Sequence, residues 1–115
     1  MGIQTADDSK QPGEVLRYSM EFTPGKAIAT GDSLIGTPTV TITRQSDGVN
    51  VTNDSVGPPV ISGMLYSAAT RSGNVVYAWI EGGTSGEVYK ITFKCNTTYG
   101  EQNVEEDLLL PVINT

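Results

Sequence analysis

The sequence predicts an all-β fold: an immunoglobulin-like antiparallel β-sandwich of about seven strands. Three observations predict it. Short runs of alternating apolar and polar residues recur along the chain, separated by clusters of Gly, Pro, Asn and Asp. No stretch carries the apolar period of an amphipathic helix. The length, 115 residues, is that of a single sandwich domain. A jelly roll or small barrel is the alternative arrangement of such strands.

The clearest pair of strands lies in residues 75–95. In the first arm, Val76, Ala78 and Ile80 point one way, and Val75, Tyr77, Trp79 and Glu81 the other. This arm is apolar on both faces, as expected of a central strand or of one whose outer face meets a partner. Either Tyr77 and Trp79 form an exposed aromatic patch, or Trp79 fills the sandwich centre; the core position is the expectation. In the second arm Tyr89, Ile91, Phe93 and Cys95 share an inner face, opposite Lys90, Thr92 and Lys94. Gly82, Gly83 and Gly86 let the connection turn tightly. Tyr89 follows this turn closely, and is a candidate to bond back to the backbone as a corner tyrosine.

Residues 1–13 are polar and aperiodic, and are expected to form an N-terminal arm ahead of a sandwich domain at 14–115. If that arm is ordered, a neighbouring subunit is the natural candidate to hold it. Residues 14–22 alternate as a strand with Leu16, Tyr18, Met20 and Phe22 on one face. Residues 26–36 are ambiguous. Residues 37–44 read as a strand with Val40 and Ile42 inward and Thr39, Thr41 and Thr43 toward solvent. Asp47-Gly48 reads as a hairpin turn into a strand at 49–52. A strand at 60–66 follows Pro58-Pro59, and residues 71–74 turn into the pair already described. The last strand, 101–113, places Leu108, Leu110 and Val112 on one face. Pro111 has no donor for a ladder bond, which predicts an edge or a bulge.

Composition narrows the chemistry. Seven Lys and Arg stand against thirteen Asp and Glu, so the chain has no basic surface for a phosphate backbone, and no nucleic acid is expected as a partner. No segment has the length and hydropathy of a membrane-spanning helix or a signal peptide, and no membrane association is expected. There is no histidine, which removes Ser-His-Asp and Cys-His nucleophiles and every histidine metal site. Cys95 reads as buried packing. Glu105, Glu106 and Asp107 read as a solvated edge rather than an acid/base pair. Asp47, Asn50, Asn53 and Asp54 supply hard oxygens but lack calcium-loop spacing, and turn chemistry accounts for them. The Gly82–Gly86 segment precedes a strand and lacks a P-loop ending. Three glycosylation triplets, at Asn50, Asn53 and Asn96, are expected to be unused. No catalytic residue, metal or cofactor is expected.

Three stretches carry a resemblance. Glu14-Val15-Leu16-Arg17-Tyr18 with Phe22 opens it, after a Pro-containing, Asp-rich start. Gly82-Gly83-Thr84-Ser85-Gly86-Glu87-Val88-Tyr89 forms a central turn. Gly100, then Glu106-Asp107, then Leu110-Pro111-Val112-Ile113 close it. In order and spacing these are similar to a family of small immunoglobulin-like bacteriophage virion proteins, the fiber–tail adaptor or neck–tail accessory proteins. Residues 35–72 are longer and richer in Thr and Pro than the family pattern. The resemblance implies a non-enzymatic structural protein of a tailed-phage virion, made in the bacterial host cytoplasm, that joins tail, neck or fiber components. Its partners would be other virion proteins, contacted in multiple copies on a symmetric assembly.

Candidate partner contacts are Gly2, Ile3 and Gln4 in the arm, Leu108, Leu110, Val112 and Ile113 at the closing strand, and the 46–59 loop. Two further readings remain: a capsid decoration protein, and a carbohydrate- or cell-surface-binding module. The second would use Tyr77 with Trp79, or Tyr66 with Tyr99, as stacking platforms.

Overall fold

The computed structural model describes residues 2–6, 9–53 and 63–114. Seven strands form two sheets: β1 (Gly2–Thr5), β2 (Leu16–Glu21), β3 (Leu34–Arg44), β4 (Leu65–Ser72), β5 (Val75–Ile80), β6 (Val88–Thr97) and β7 (Val104–Pro111). One sheet has the order β1-β7-β6-β3 and the other β2-β5-β4. Every neighbouring pair is antiparallel except β1 with β7, which is parallel. The chain is therefore an all-β sandwich, as the alternation predicts.

The core lies between the sheets and is filled by the inward half of each alternating strand. Strand β6 contributes Tyr89, Ile91, Phe93 and Cys95, none more than 3% exposed. Val40 and Ile42 come from β3, Leu108 and Leu110 from β7, Met20 from β2, and Val76, Ala78 and Ile80 from β5. Each of the larger side chains contributes about 1.5–3 kcal/mol by leaving water. The threonine face of β3 points outward, with Thr39 exposed and Thr41 and Thr43 half-buried.

Several connections differ from the sequence expectation. Residues 49–52 return along β3 through Arg44 N–H to Val49 O and Val51 N–H to Ile42 O, without forming a full strand. The strand expected at 60–66 begins at Leu65; residues 60–62 lie outside the described residues. Residues 26–29, ambiguous in the sequence, form a turn, with Ile28 buried in the core.

The N-terminal stretch joins the sandwich. Gly2, Ile3, Gln4 and Thr5 pair with Glu106, Asp107, Leu108 and Leu109 of the same chain. The Lys10 amide donates to Pro111 O and its carbonyl accepts from Ile113 N–H, both at 2.9 Å. What holds this stretch is the chain's own closing strand. Strand β7 is consequently an interior strand, and the edges of its sheet are β1 and β3. The Pro111 signal is satisfied in another way. Val112 N–H donates to Glu87 O on the β6 side. By alternation the Pro111 nitrogen faces the β1 side, where the β1 ladder has already ended opposite Leu109.

The glycine turn between β5 and β6 is locked from two directions. The Tyr89 hydroxyl, fully buried, accepts a 2.8 Å hydrogen bond from Thr84 N–H, the corner role expected of it. Gly83 has φ +100°, and a Cβ there would meet Val112 Cγ2 at 3.0 Å and Met64 Cε at 3.1 Å. Only glycine accepts both the backbone and the approach.

Replacing Tyr89 with Phe should therefore keep the fold but lower its unfolding free energy by about 1–2 kcal/mol, because Thr84 N–H loses its acceptor. Urea unfolding checks this through a lower midpoint at unchanged slope.

Candidate interaction surfaces

Parity along β2 and β5 decides which side chains reach solvent on the three-stranded sheet. Met20 and Phe22 point into the core, so Arg17, Ser19 and Glu21 point out. Register pairs Arg17 with Trp79 and Ser19 with Tyr77. Both aromatics must then share the outward face with these polar residues. Trp79 is 43% exposed, which overturns its expected place in the sandwich centre. The centre is filled instead by Val76, Ala78 and Ile80, each at most 1% exposed. The Arg17 guanidinium sits 4.9 Å from the Tyr77 ring centroid, a cation–π contact that holds the ring half-covered. Tyr66 and Tyr99 are also exposed, at 60% and 66%.

A second surface opens where the two sheets part. Strands β1 and β2 are the edges of their respective sheets on the same side of the sandwich. Between them runs a groove of about 480 Å³, lined by Gln4, Thr5, Ala6, Ser9, Leu16, Arg17, Tyr18, Ser19 and Leu108. Arg17 is its one charged lining residue among the described residues.

The residues expected as partner contacts divide. Gln4 is exposed and Ile113 is 45% exposed. Leu108, Leu110 and Val112 pack into the chain's own core, at 7%, 0% and 0% exposed. They form the inward face of the closing strand, packed between the sheets, while β1 covers the edge that Pro111 suggested would be free. The same cover corrects the acidic cluster, because Glu106 and Asp107 are buried, at 8% and 3%, rather than solvated. Of the 46–59 loop, residues 54–59 lie outside the described residues.

Three buried polar side chains tie loops to the sheets, and the residue pattern did not single them out. Lys10 is fully buried, and its Nζ donates to Gly82 O at 2.7 Å and Gln11 O at 2.8 Å. Burial pushes its pKa down, opposed by the charges of Glu14 and Glu81. Arg44 continues the inward face of Val40 and Ile42 and is 1% exposed. Its Nη2 reaches Asp47 Oδ2 at 2.7 Å, and that hydrogen bond raises its pKa. Asp32 Oδ1 accepts from Ser33 N–H at 2.8 Å, Thr98 Oγ1 at 2.9 Å and Tyr99 N–H at 3.1 Å, joining the turn before β3 to the turn after β6.

Catalytic chemistry finds no constellation among these groups. Cys95 is buried, with its Sγ 3.3 Å from Ile35 O. Asp47 is occupied by Arg44, and the Asn50 side-chain oxygen accepts from Thr52 N–H and its hydroxyl. Among the described residues no group of three or more His, Cys, Asp or Glu side chains could hold a metal ion. No helix there is long and apolar enough to cross a membrane.

The aspartates carry a pH signature. Burial alone would raise the pKa of Asp32, but hydrogen bonds from Thr97, Ser33, Thr98 and Tyr99 outweigh it and hold the pKa below the ordinary carboxylate value. Asp47 is lowered chiefly by its hydrogen bond to Arg44. A depressed folded-state pKa means that the folded state binds fewer protons than the unfolded chain. The associated stability is complete above the unfolded pKa, roughly 3.9, and is lost as pH falls through the lower folded value. Asp32→Asn should therefore be destabilised near neutral pH and show a shallower acid limb than the parent, measured as unfolding midpoints between about pH 2 and 7.

The fold and surfaces can be set beside known proteins. A family model, described as podophage GP4 fiber-tail adaptor protein gp77, matches residues 10–111. No curated protein and no solved structure matches the chain. The family match runs from the Lys10 lace through the last strand, across both sheets and the Gly82–Gly86 turn. The chain belongs to the podophage GP4 fiber-tail adaptor protein gp77 family, as a structural adaptor of the phage virion.

Proposed function

We propose that the chain joins tail, neck or fiber components of a tailed-phage virion by geometry alone, without enzymatic activity. The family match over residues 10–111 carries this reading. A fiber–tail position follows that description more closely than a place in a capsid decoration. The chain would be made in the host cytoplasm and act in the virion, in several copies whose weak contacts add through avidity.

The strand order supports the immunoglobulin-like reading. The β2-β5-β4 sheet against β7-β6-β3 parallels the B-E-D and G-F-C sheets of such sandwiches, with β1 shifted onto the closing strand and Tyr89 at the corner. We place partner contacts at the β1 edge strand, with Gly2 and Ile3 in its backbone, and at the exposed Gln4 and Ile113. Leu108, Leu110 and Val112 support that edge from the core. The 1–13 stretch then acts as an interaction arm whose inner side is tied to β7.

Purified chain added to particles lacking it should bind at a fixed stoichiometry and restore fiber attachment. Particles that bind fibers equally well without it would sink the adaptor reading.

The exposed pair Tyr77 and Trp79 favours one second reading, a carbohydrate- or cell-surface-binding face. Host glycans should then shift the Trp79 emission on titration, and Trp79→Ala should abolish binding with little loss of stability. An unchanged emission spectrum at saturating glycan would remove this reading.

A further inference from the structure

Among the described residues the outer edge of β2 is unpaired, and its sequence is complementary to itself. Phe22 N–H donates to Asn74 O at 2.8 Å, which sets the ladder phase with β5. Tyr18 and Met20 then turn their main-chain groups toward β5, while Arg17, Ser19 and Glu21 turn theirs toward the open edge. These same three residues place exposed side chains on the outer face. Among the described residues the one ion pair is Arg44–Asp47, and neither Arg17 nor Glu21 has an ionic partner there.

We propose that β2 pairs antiparallel with β2 of a second copy of this chain, about a two-fold axis through Ser19. In that register Ser19 faces Ser19, and Arg17 of each copy faces Glu21 of the other. All three outward-turned residues meet outward-turned residues, so the main-chain groups match as well as the charges. A register moved by one residue would set main-chain groups turned to the edge against groups turned to β5. A register moved by two would separate the charges. An edge guarded against association carries like charges that repel their own copies. Here the two signs are placed symmetrically and attract. The pairing joins β2-β5-β4 of two copies into one six-stranded sheet. It also extends the outer face bearing Tyr77 and Trp79 across both copies. Leu16, 36% exposed, and the half-buried Tyr18 gain cover from Phe22 and Met20 of the second copy. This contact uses β2 and the groove beside it, and stands whether or not the chain bridges fiber and tail.

The test is a cysteine at the axis. A hydrogen-bonded antiparallel pair holds its Cα atoms about 5.5 Å apart, within the range a disulfide spans. Ser19→Cys should form a reducible covalent dimer under mild oxidation, while Ser72→Cys, equally exposed on β4, should not. Cys95 is buried and does not compete. Arg17→Glu and Glu21→Arg, each combined with Ser19→Cys, should slow dimer formation about tenfold by setting like charges opposite each other twice. The double reversal Arg17→Glu/Glu21→Arg should restore the parent rate. Circular dichroism of each variant confirms that the sandwich is intact. Ser19→Cys cross-linking no faster than Ser72→Cys would overturn the proposal and leave the β2 edge to a strand of another protein. Single reversals without effect, or a double reversal without rescue, would overturn the register.

Discussion

The fold depends on strand β6 being paired along both sides. It meets β3 on one side and β7 on the other, and all four of its inward side chains, Tyr89, Ile91, Phe93 and Cys95, are buried. The inward Tyr, Ile and Phe each bury enough surface for about 2–3 kcal/mol, against about 1 kcal/mol for a typical hydrogen bond. Burial therefore sets the sandwich, and hydrogen bonding sets its details. The Tyr89 hydroxyl is where the two meet. It anchors a core ring and fixes the turn that feeds β6.

The rim of the sandwich is closed by polar groups rather than by more apolar area. Lys10 ties the N-terminal stretch to the carbonyl of Gly82, Asp32 joins the turns at either end of the β3–β6 pair, and Arg44 with Asp47 closes the turn after β3. Each leaves a charged group out of water, which is tolerable because hydrogen bonds replace much of the lost solvation. These ties hold the loops at the ends of the sheets in place. Among the described residues strands β1, β2, β3 and β4 end their sheets, with residues 49–52 lying along β3.

Most of the fold was legible in the chain itself. The alternation of Leu16 to Phe22, Val40 with Ile42, and Tyr89 to Cys95 reports burial on one face and water on the other, a local pattern that needs no knowledge of neighbours. The candidate surfaces were less legible. Trp79 sits on a strand apolar on both faces, so its own segment does not say which face is inside. Pairing with Arg17 does. Pro111 carries a true signal, a missing donor, but the signal does not say which neighbour is lost. Arg44 lies on an inward face where charge is the exception, Lys10 in an aperiodic stretch, and nothing in their spacing announces the carbonyls and carboxylate that receive them.

By itself the sequence determined the strand class, the inward residues of β2, β3 and β6, the glycine turn with its corner tyrosine, and the lack of histidine chemistry. These follow from side-chain period and residue type, which are properties of neighbouring positions along the chain. Tertiary structure alone decided that β1 covers β7, that Glu106 and Asp107 are buried, that Trp79 faces water, and that β2 ends its sheet. Those outcomes depend on which strands become neighbours in space, and pairing partners far apart in sequence leave no mark on either partner's own period.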